Sequence, residues 1–135
     1  MVTITMEYQG GLRCQAAHTP SKTKLVTDAP VDNMGKGESF SPTDLVATAL
    51  GTCMLTTMGI VAARHAWAME GSRATVVKEM VADPVRRIGR LRVTLELPAA
   101  LEPKAREALE RAAKTCPVHR SLAENVDIPI EFVWA

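Results

Sequence analysis

The sequence has little of what several common classes of protein require. Only 4% of its 135 residues are aromatic, and its 16 basic side chains are balanced by 15 acidic ones. Proteins dedicated to nucleic-acid binding normally have a basic excess and aromatic platforms for bases, so we expect no nucleic-acid partner. The three cysteines, Cys14, Cys53 and Cys116, are widely spaced without a C-x-x-C pair, which argues against a secreted disulfide scaffold or a zinc site. We therefore expect no metal and no other cofactor.

The sequence also shows no clear targeting segment. No basic region followed by an apolar run opens the chain, so we expect a reducing, cytoplasmic location. At 47% hydrophobic residues the chain is too apolar for a disordered protein, and its length predicts one domain over residues 1–135. The uncharged stretch Leu45 to Ala63 is long enough to span a bilayer, but its threonines and glycines make it marginal as a span. We interpret it as a buried central helix and expect no membrane span.

Hydrophobic periodicity and turn residues predict strands and helices in the same chain. The predicted strands are Val2 to Tyr8, Leu12 to His18, Lys22 to Thr27, Arg73 to Ala82, Ile88 to Leu97 and Val126 to Trp134. The first three are expected to form an antiparallel meander, and Val2 to Tyr8, which alternates apolar with polar residues, is expected to be half-buried. In Ile88 to Leu97, the second strand of a later hairpin, one face is expected to be apolar and the other polar; the apolar residues are Leu91, Val93, Leu95 and Leu97. The predicted helices are a long one from Pro42 to about Ala68, one from Lys104 to Lys114 and a short one from Pro117 to Leu122.

The long helix has a strong start signal and an unusual length. Ser41 can cap the free N–H groups, Pro42 suits the first helical position, and Asp44 follows the cap by three residues. About 25 residues make a rod of roughly 37 Å, which is longer than a compact domain of this size is wide.

Two other patterns have plainer interpretations than the ones they first suggest. The glycine-rich run around Lys36 lacks the preceding strand and the Gly-Lys-Ser/Thr of a phosphate-binding loop. A basic run fits the solvent face and turn of a hairpin better than a nucleic-acid surface, because no aromatic residue interleaves with it. That run consists of Arg86, Arg87, Arg90 and Arg92.

The remaining chemistry lies in the thiols. Cys53 falls within the apolar helix and, taken alone, is expected to be a small buried hydrophobe. Cys116 precedes Pro117 and is expected to be a helix N-cap, where free N–H groups would make it the more acidic thiol. His119, three residues later, is close enough to influence it. Cys14 lies in a predicted strand and is interpreted as structural.

Two motifs resemble the OsmC/Ohr family of thiol-dependent hydroperoxide reductases. The run from Ser41 to Cys53, SPTDLVATALGTC, resembles that family's first-cysteine helix, and the run from Cys116 to Leu122, CPVHRSL, resembles its second-cysteine motif. The order of predicted elements is also similar over essentially the whole chain. The resemblance implies an α+β fold in which two subunits intertwine, with antiparallel strands wrapped around long central apolar helices. A homodimer would cover the exposed side of a helix that is too long for its own domain.

The resemblance also implies a mechanism. Cys53 would attack the hydroperoxide as the peroxidatic thiolate, Cys116 would resolve the sulfenic acid as a disulfide, and an external dithiol would reduce that disulfide. This assignment differs from the residue-based expectation, which makes Cys116 the more acidic thiol. The apolar neighbours expected to form the substrate pocket around Cys53 are Leu50, Met54 and Met58.

The sequence departs from the family at one functional position. The peroxidases of the family have a glutamate ten residues before the first cysteine, paired with an arginine, whereas this chain has Thr43 there and Asp44 beside it. Candidates for stabilising the thiolate are therefore Arg13, Lys36 and Asp44. Two alternatives to a peroxidase remain open: a thiol-containing protein of the same fold that binds an apolar ligand, and a structural protein with buried cysteines.

Overall fold

The computed structural model describes every residue from Met1 to Ala135 as an α+β chain with six strands and three α-helices. The strands are β1 (Ile4–Gly10), β2 (Arg13–His18), β3 (Lys24–Asp28), β4 (Arg73–Val81), β5 (Arg87–Leu97) and β6 (Ile130–Trp134). The helices are α1 (Pro42–Arg64), α2 (Pro103–Lys114) and α3 (Pro117–Ser121). The predicted fold class is thus confirmed. The chain forms two compact units, Met1–Val46 and Ala47–Ala135, and their organisation as one domain stays a prediction.

The first unit contains the predicted antiparallel meander, with β2 between β1 and β3. Gly10 and Gly11 turn the chain between β1 and β2 with φ of 85° and 60°, values that glycine adopts without strain. The expectation that the first strand is half-buried is wrong for the single chain, because every residue of β1 is exposed. Its apolar side chains, which recur at every second position, are Ile4, Met6 and Tyr8, and the exposed Val2 continues the pattern just before the strand.

Helix α1 begins where the sequence predicts. The Ser41 side chain accepts a hydrogen bond from the Asp44 N–H at 3.1 Å, and the Asp44 carboxylate accepts one from the Ser41 N–H at 2.9 Å. These reciprocal bonds form a capping box, with Pro42 at the first helical position. The helix has 23 residues and is about 34 Å long.

The end of α1 lies four residues before the predicted one. Ala66 has a φ of 56°, and the Trp67 N–H bonds to the Ala62 carbonyl at 2.9 Å, while the Ala66 N–H bonds to Ala63 at 3.4 Å. This pattern is a Schellman motif, which normally has glycine at the left-handed position. The alanine found there gives no sequence signal of a helix end.

The apolar stretch predicted to be a central helix is buried on one face of α1. Leu50, Met54 and Met58 are fully buried, at the spacing of successive helical turns. By length and composition alone α1 could cross a membrane, and a third of its most apolar window is buried in the chain. Gly51 allows a close approach to β4, because a Cβ there would lie 3.0 Å from the Val76 Cγ2.

The second unit has a sheet in which β5 is central, antiparallel to β4 and parallel to β6. The prediction that one face of the second hairpin strand is buried is confirmed. The alternate residues of β5 that form this face are Leu91, Val93, Leu95 and Leu97. Helix α2 buries Ala105, Leu109 and Ala113. This apolar core supports the segment that carries Cys116.

The basic run largely fits the solvent-face interpretation. Arg90 pairs with Asp127 at 2.9 Å and with Glu79 at 3.6 Å, and Arg92 pairs with Glu79 at 3.3 Å. Arg87 is half-buried instead, and its Nη1 donates to the Asn125 carbonyl at 3.0 Å. These arginines neutralise acids and hold a loop of their own chain.

Candidate functional site

Cys53 lies on α1 beside the buried face of the helix. The side chains of Leu50 and Met54, three residues before it and one after it, are fully buried, whereas Cys53 itself is half-buried. The expectation from residue type alone, a fully buried cysteine, is therefore only partly met. Cys53 retains a solvent-accessible fraction that a reactive thiol requires.

Cys116 lies between α2 and α3 and is fully buried. It is the N-cap of α3, as predicted, and its Sγ accepts a hydrogen bond from the His119 N–H at 3.3 Å. Pro117 occupies the first helical position, where its missing N–H removes no hydrogen bond. Influence from His119 thus comes through its backbone amide.

The two thiols are neighbours in the second unit, and both are free. Burial raises the pKa of Cys116 most, and the adjacent Cys53 thiol raises it further, while the His119 and Val118 amides act in the opposite direction. The prediction that its N-cap position makes Cys116 an acidic thiol is therefore wrong, because desolvation outweighs the amide hydrogen bonds. At neutral pH, Cys116 is a neutral thiol beside the more accessible Cys53.

Arg13, a candidate for stabilising the thiolate, belongs to a charged cluster in the first unit. It lies opposite Asp28 in the register of β2 and β3. Its Nε and Nη2 donate to the two carboxylate oxygens of Asp28 at 2.7 and 2.8 Å, and Nη2 also lies 3.3 Å from the Glu38 carboxylate. The Glu38 N–H donates to Asp28 at 3.1 Å. The guanidinium is thus held in one orientation by a bidentate pair.

Asp28 is the residue of this cluster that the sequence analysis missed. Its side chain is 2% exposed, and its pKa is lowered mainly by its hydrogen bonds with Arg13 and to a smaller extent by the charge of Lys36. The charges of both predicted cations therefore lower the pKa of the same carboxylate. The predicted third strand ends at Thr27, one residue before Asp28, so the predicted bounds did not indicate that Arg13 and Asp28 are paired.

Asp44 has a structural role in the capping box that starts α1, described above. Thr43, at the position of the family's glutamate, has its hydroxyl 3.1 Å from the Ser41 hydroxyl. The roles of Asp44, Arg13 and Lys36 toward a thiolate stay predictions, as does contact of substrate with the apolar residues near Cys53.

The Asp28→Asn variant tests the cluster through the pH dependence of folding. The pKa of Asp28 lies below its ordinary value of 3.8, so its stabilising contribution is present above that value and is lost as the pH falls through the lowered folded pKa. We expect Asp28→Asn to melt at a lower temperature at neutral pH and to lose less stability on acidification. Thermal unfolding followed by circular dichroism from neutral to strongly acidic pH measures both effects.

Glu38→Gln is the matched control, because Glu38 is exposed and its carboxylate makes one longer contact with Arg13. Its melting temperature is expected to change less. An Asp28→Asn variant with the acid dependence of the unmodified protein would contradict the stabilising role of the pair.

Comparisons with known proteins agree with this architecture. Residues 35–131 match the family model described as OsmC-like protein. A crystal structure from Psychrobacter arcticus, of a protein assigned to the osmotic stress induced and detoxification response, is 42% identical with a TM-score of 0.91, and the match covers 98% of this chain and 96% of that one. No curated protein matches the chain.

More distant structures share the fold. An organic hydroperoxide resistance protein, OsmC, from Legionella pneumophila is 19% identical with a TM-score of 0.79, covering 98% of this chain and 96% of its own. The organic hydroperoxide resistance protein OhrB of Bacillus subtilis is 18% identical with a TM-score of 0.69, and the match covers 98% and 97% of the two chains.

Proposed function

Because the chain belongs to the OsmC-like family, we propose that it is a thiol-dependent peroxidase that reduces organic or inorganic hydroperoxides. The observation that supports this proposal is the pairing of a half-buried Cys53 with a fully buried, neutral Cys116. A peroxidatic thiol must meet its substrate, whereas a resolving thiol must only meet the first thiol. The difference in exposure favours Cys53 for attack and Cys116 for resolution.

The first step oxidises Cys53 by two electrons. Its thiolate attacks one peroxide oxygen, the O–O bond breaks, and the leaving alkoxide or hydroxide takes a proton to become an alcohol or water. Cys53 is left as a sulfenic acid. Leu50, Met54 and Met58 remain the side chains proposed to contact the organic part of a hydroperoxide; because all three are fully buried in the single chain, that contact requires the packing around Cys53 to open.

The second step forms the disulfide. The Cys116 sulfur attacks the sulfur of the Cys53 sulfenic acid, the S–O bond breaks, and the thiol proton leaves with the hydroxyl as water. A neutral Cys116 thiol carries the proton that this leaving group needs. An external dithiol then supplies two electrons by thiol–disulfide exchange and returns both cysteines to thiols.

Stabilisation of the Cys53 thiolate requires a positive charge, and Arg13 is proposed for this role with Lys36 as the alternative. In favour of Arg13 is its fixed guanidinium, held by both oxygens of Asp28. A guanidinium that is already held in place loses less conformational entropy on binding an anion than the flexible side chain of an exposed lysine does. Asp28 would then be the acidic partner of Arg13, as the family's glutamate is the acidic partner of its arginine.

Titration with cumene hydroperoxide tests the proposed function. We expect stoichiometric oxidant to produce a Cys53–Cys116 disulfide, detected by peptide mass spectrometry without prior reduction. Because the two thiols are neighbours, this disulfide should form before either cysteine is oxidised further. Oxidation no faster than that of free cysteine would favour a protein that binds an apolar ligand, and unreactive thiols would favour a structural role.

A homodimer is part of the proposal. One face of α1 packs into the second unit, while the opposite face exposes uncharged side chains. The exposed residues of that second face are Thr48, Ala49, Thr52, Thr56, Ile60 and Ala63. This face carries no charge and is proposed to pack against a second copy of the chain; in the first unit, the exposed apolar side chains of β1 likewise lack a cover in the single chain.

A further inference from the structure

The two sulfurs proposed to form the disulfide differ in access. Cys116 has no exposed surface, whereas Cys53 is half-buried. A cleft of about 420 Å³ lies beside α3. His119 and Arg120 are among the residues that line it, but Cys116 is not. This cleft therefore offers an external molecule no route to the Cys116 sulfur.

A reductant can attack only the sulfur of a disulfide that it can reach. In thiol–disulfide exchange the incoming thiolate must reach one sulfur while the other departs, so the rate depends on which sulfur is exposed and on the leaving thiol. Attack at Cys116 would need the core around α2 and α3 to open. In the single chain, attack at Cys53 needs only the surface that Cys53 presents on α1; in the proposed dimer it also needs that surface to lie outside the contact made by Thr52 and Thr56.

The surroundings of Cys116 also suit a leaving group. The His119 N–H lies 3.3 Å from its Sγ, and the Val118 amide also acts to lower the pKa of this thiol. Hydrogen bonds from amides stabilise the negative charge that develops on a departing sulfur. Burial opposes that charge and so slows the departure of the Cys116 sulfur. A slower departure only lowers the rate of exchange, whereas a blocked approach to a sulfur prevents attack on it altogether.

We propose that the external reductant attacks the Cys53 sulfur, forming a mixed disulfide on Cys53 and releasing Cys116. The inference rests on the proposed function, because it concerns the disulfide of that reaction. The reductant thiolate forms a new S–S bond with Cys53, the Cys53–Cys116 bond breaks, and the Cys116 sulfur leaves with the electron pair and takes a proton from water. A second thiol of the reductant then attacks the first, releasing Cys53.

The experiment starts from a disulfide made with diamide, so that it does not depend on peroxide. The oxidised protein is mixed with reduced glutathione, quenched in acidic denaturant, alkylated with N-ethylmaleimide and digested with trypsin. The two cysteines fall on separate peptides, Gly37–Arg64 and Thr115–Arg120. We expect glutathione on the first peptide and N-ethylmaleimide on the second. Glutathione on Thr115–Arg120, or equally on both peptides, would overturn the inference.

Two single-cysteine variants give an independent measurement if the mixed disulfide is too short-lived to trap. Cys116→Ser retains Cys53, and Cys53→Ser retains Cys116. With glutathione disulfide in place of glutathione, we expect Cys53 to be modified at least about tenfold faster than Cys116. Equal rates would overturn the inference.

The two proposals fail in different ways. A protein that forms the disulfide with diamide but not with cumene hydroperoxide would lack the proposed function, while the position of the glutathione adduct would still test the inference. A protein that forms no Cys53–Cys116 disulfide with either oxidant would overturn both.

Discussion

The Cys53→Ser variant is expected to consume hydroperoxide no faster than buffer. A serine hydroxyl at this position forms no sulfenic acid, and Cys116 cannot replace Cys53 because it is fully buried and its pKa is raised by that burial. Loss of cumene hydroperoxide with a dithiol present, measured by a colorimetric peroxide assay, gives the rate. Residual activity near that of the unmodified protein would show that another group reduces the peroxide.

The Cys116→Ser variant is expected to fail at a different step. Its Cys53 can still attack the peroxide, so each chain should consume one equivalent in a burst and then slow, because no neighbouring thiol resolves the sulfenic acid. Dimedone should label the peptide that carries Cys53. Full turnover in this variant would mean that the reductant acts directly on the sulfenic acid and that Cys116 has another role.

Cys14→Ser is the matched control for both variants. Cys14 is a half-buried residue of β2 that lies opposite Tyr8 and Thr27 in the sheet register. It belongs to the first unit, and the mechanism gives it no step. We expect this variant to have the burst and the turnover rate of the unmodified protein. A large loss of activity would show that removing a thiol perturbs the protein wherever it is.

Local signals in the sequence predicted most of the fold. The start of α1 depends on side chains within four residues of each other, and the capping box formed as expected. The period-two pattern of β5 identified its buried face correctly. The end of α1 was missed because the left-handed residue there is Ala66, whose side chain carries no such signal.

The errors and omissions at the candidate site arise from contacts between distant parts of the chain. The pair of Arg13 with Asp28 depends on the register between two strands, which is set by the whole meander. The capping position of Cys116 is local and was predicted, but its burial comes from packing of residues far away in the sequence. That burial reverses the direction of the pKa expected from the cap alone.

The alternation in β1 illustrates a different limit. Its apolar residues were correctly identified as one face of a strand, yet all of β1 is exposed in the single chain. A hydrophobic pattern indicates that a face needs covering, but not whether the cover belongs to the same chain. The exposed face of α1 poses the same question, because its most apolar window is only one-third buried.

Ile60→Lys is expected to convert a dimer into monomers. Ile60 lies on the exposed face of α1 and is 52% exposed in the single chain. If two copies pack these faces together, an isologous interface brings the introduced charge into an apolar contact on both subunits. Burying an unpaired charge is strongly unfavourable, so the dimer should dissociate.

Light scattering coupled to gel filtration measures this result. The unmodified protein is expected at twice its chain mass of 14.6 kDa, and Ile60→Lys at the chain mass itself. The unfolding temperature of the unmodified protein should also rise with protein concentration, because association stabilises the folded state. Ala100→Lys, which adds the same charge at an exposed loop position after β5, is the matched control and should remain dimeric. An unmodified protein with the mass of one chain, or an Ile60→Lys variant that remains dimeric, would contradict the proposed use of this α1 face: the apolar length of α1 would then need another partner.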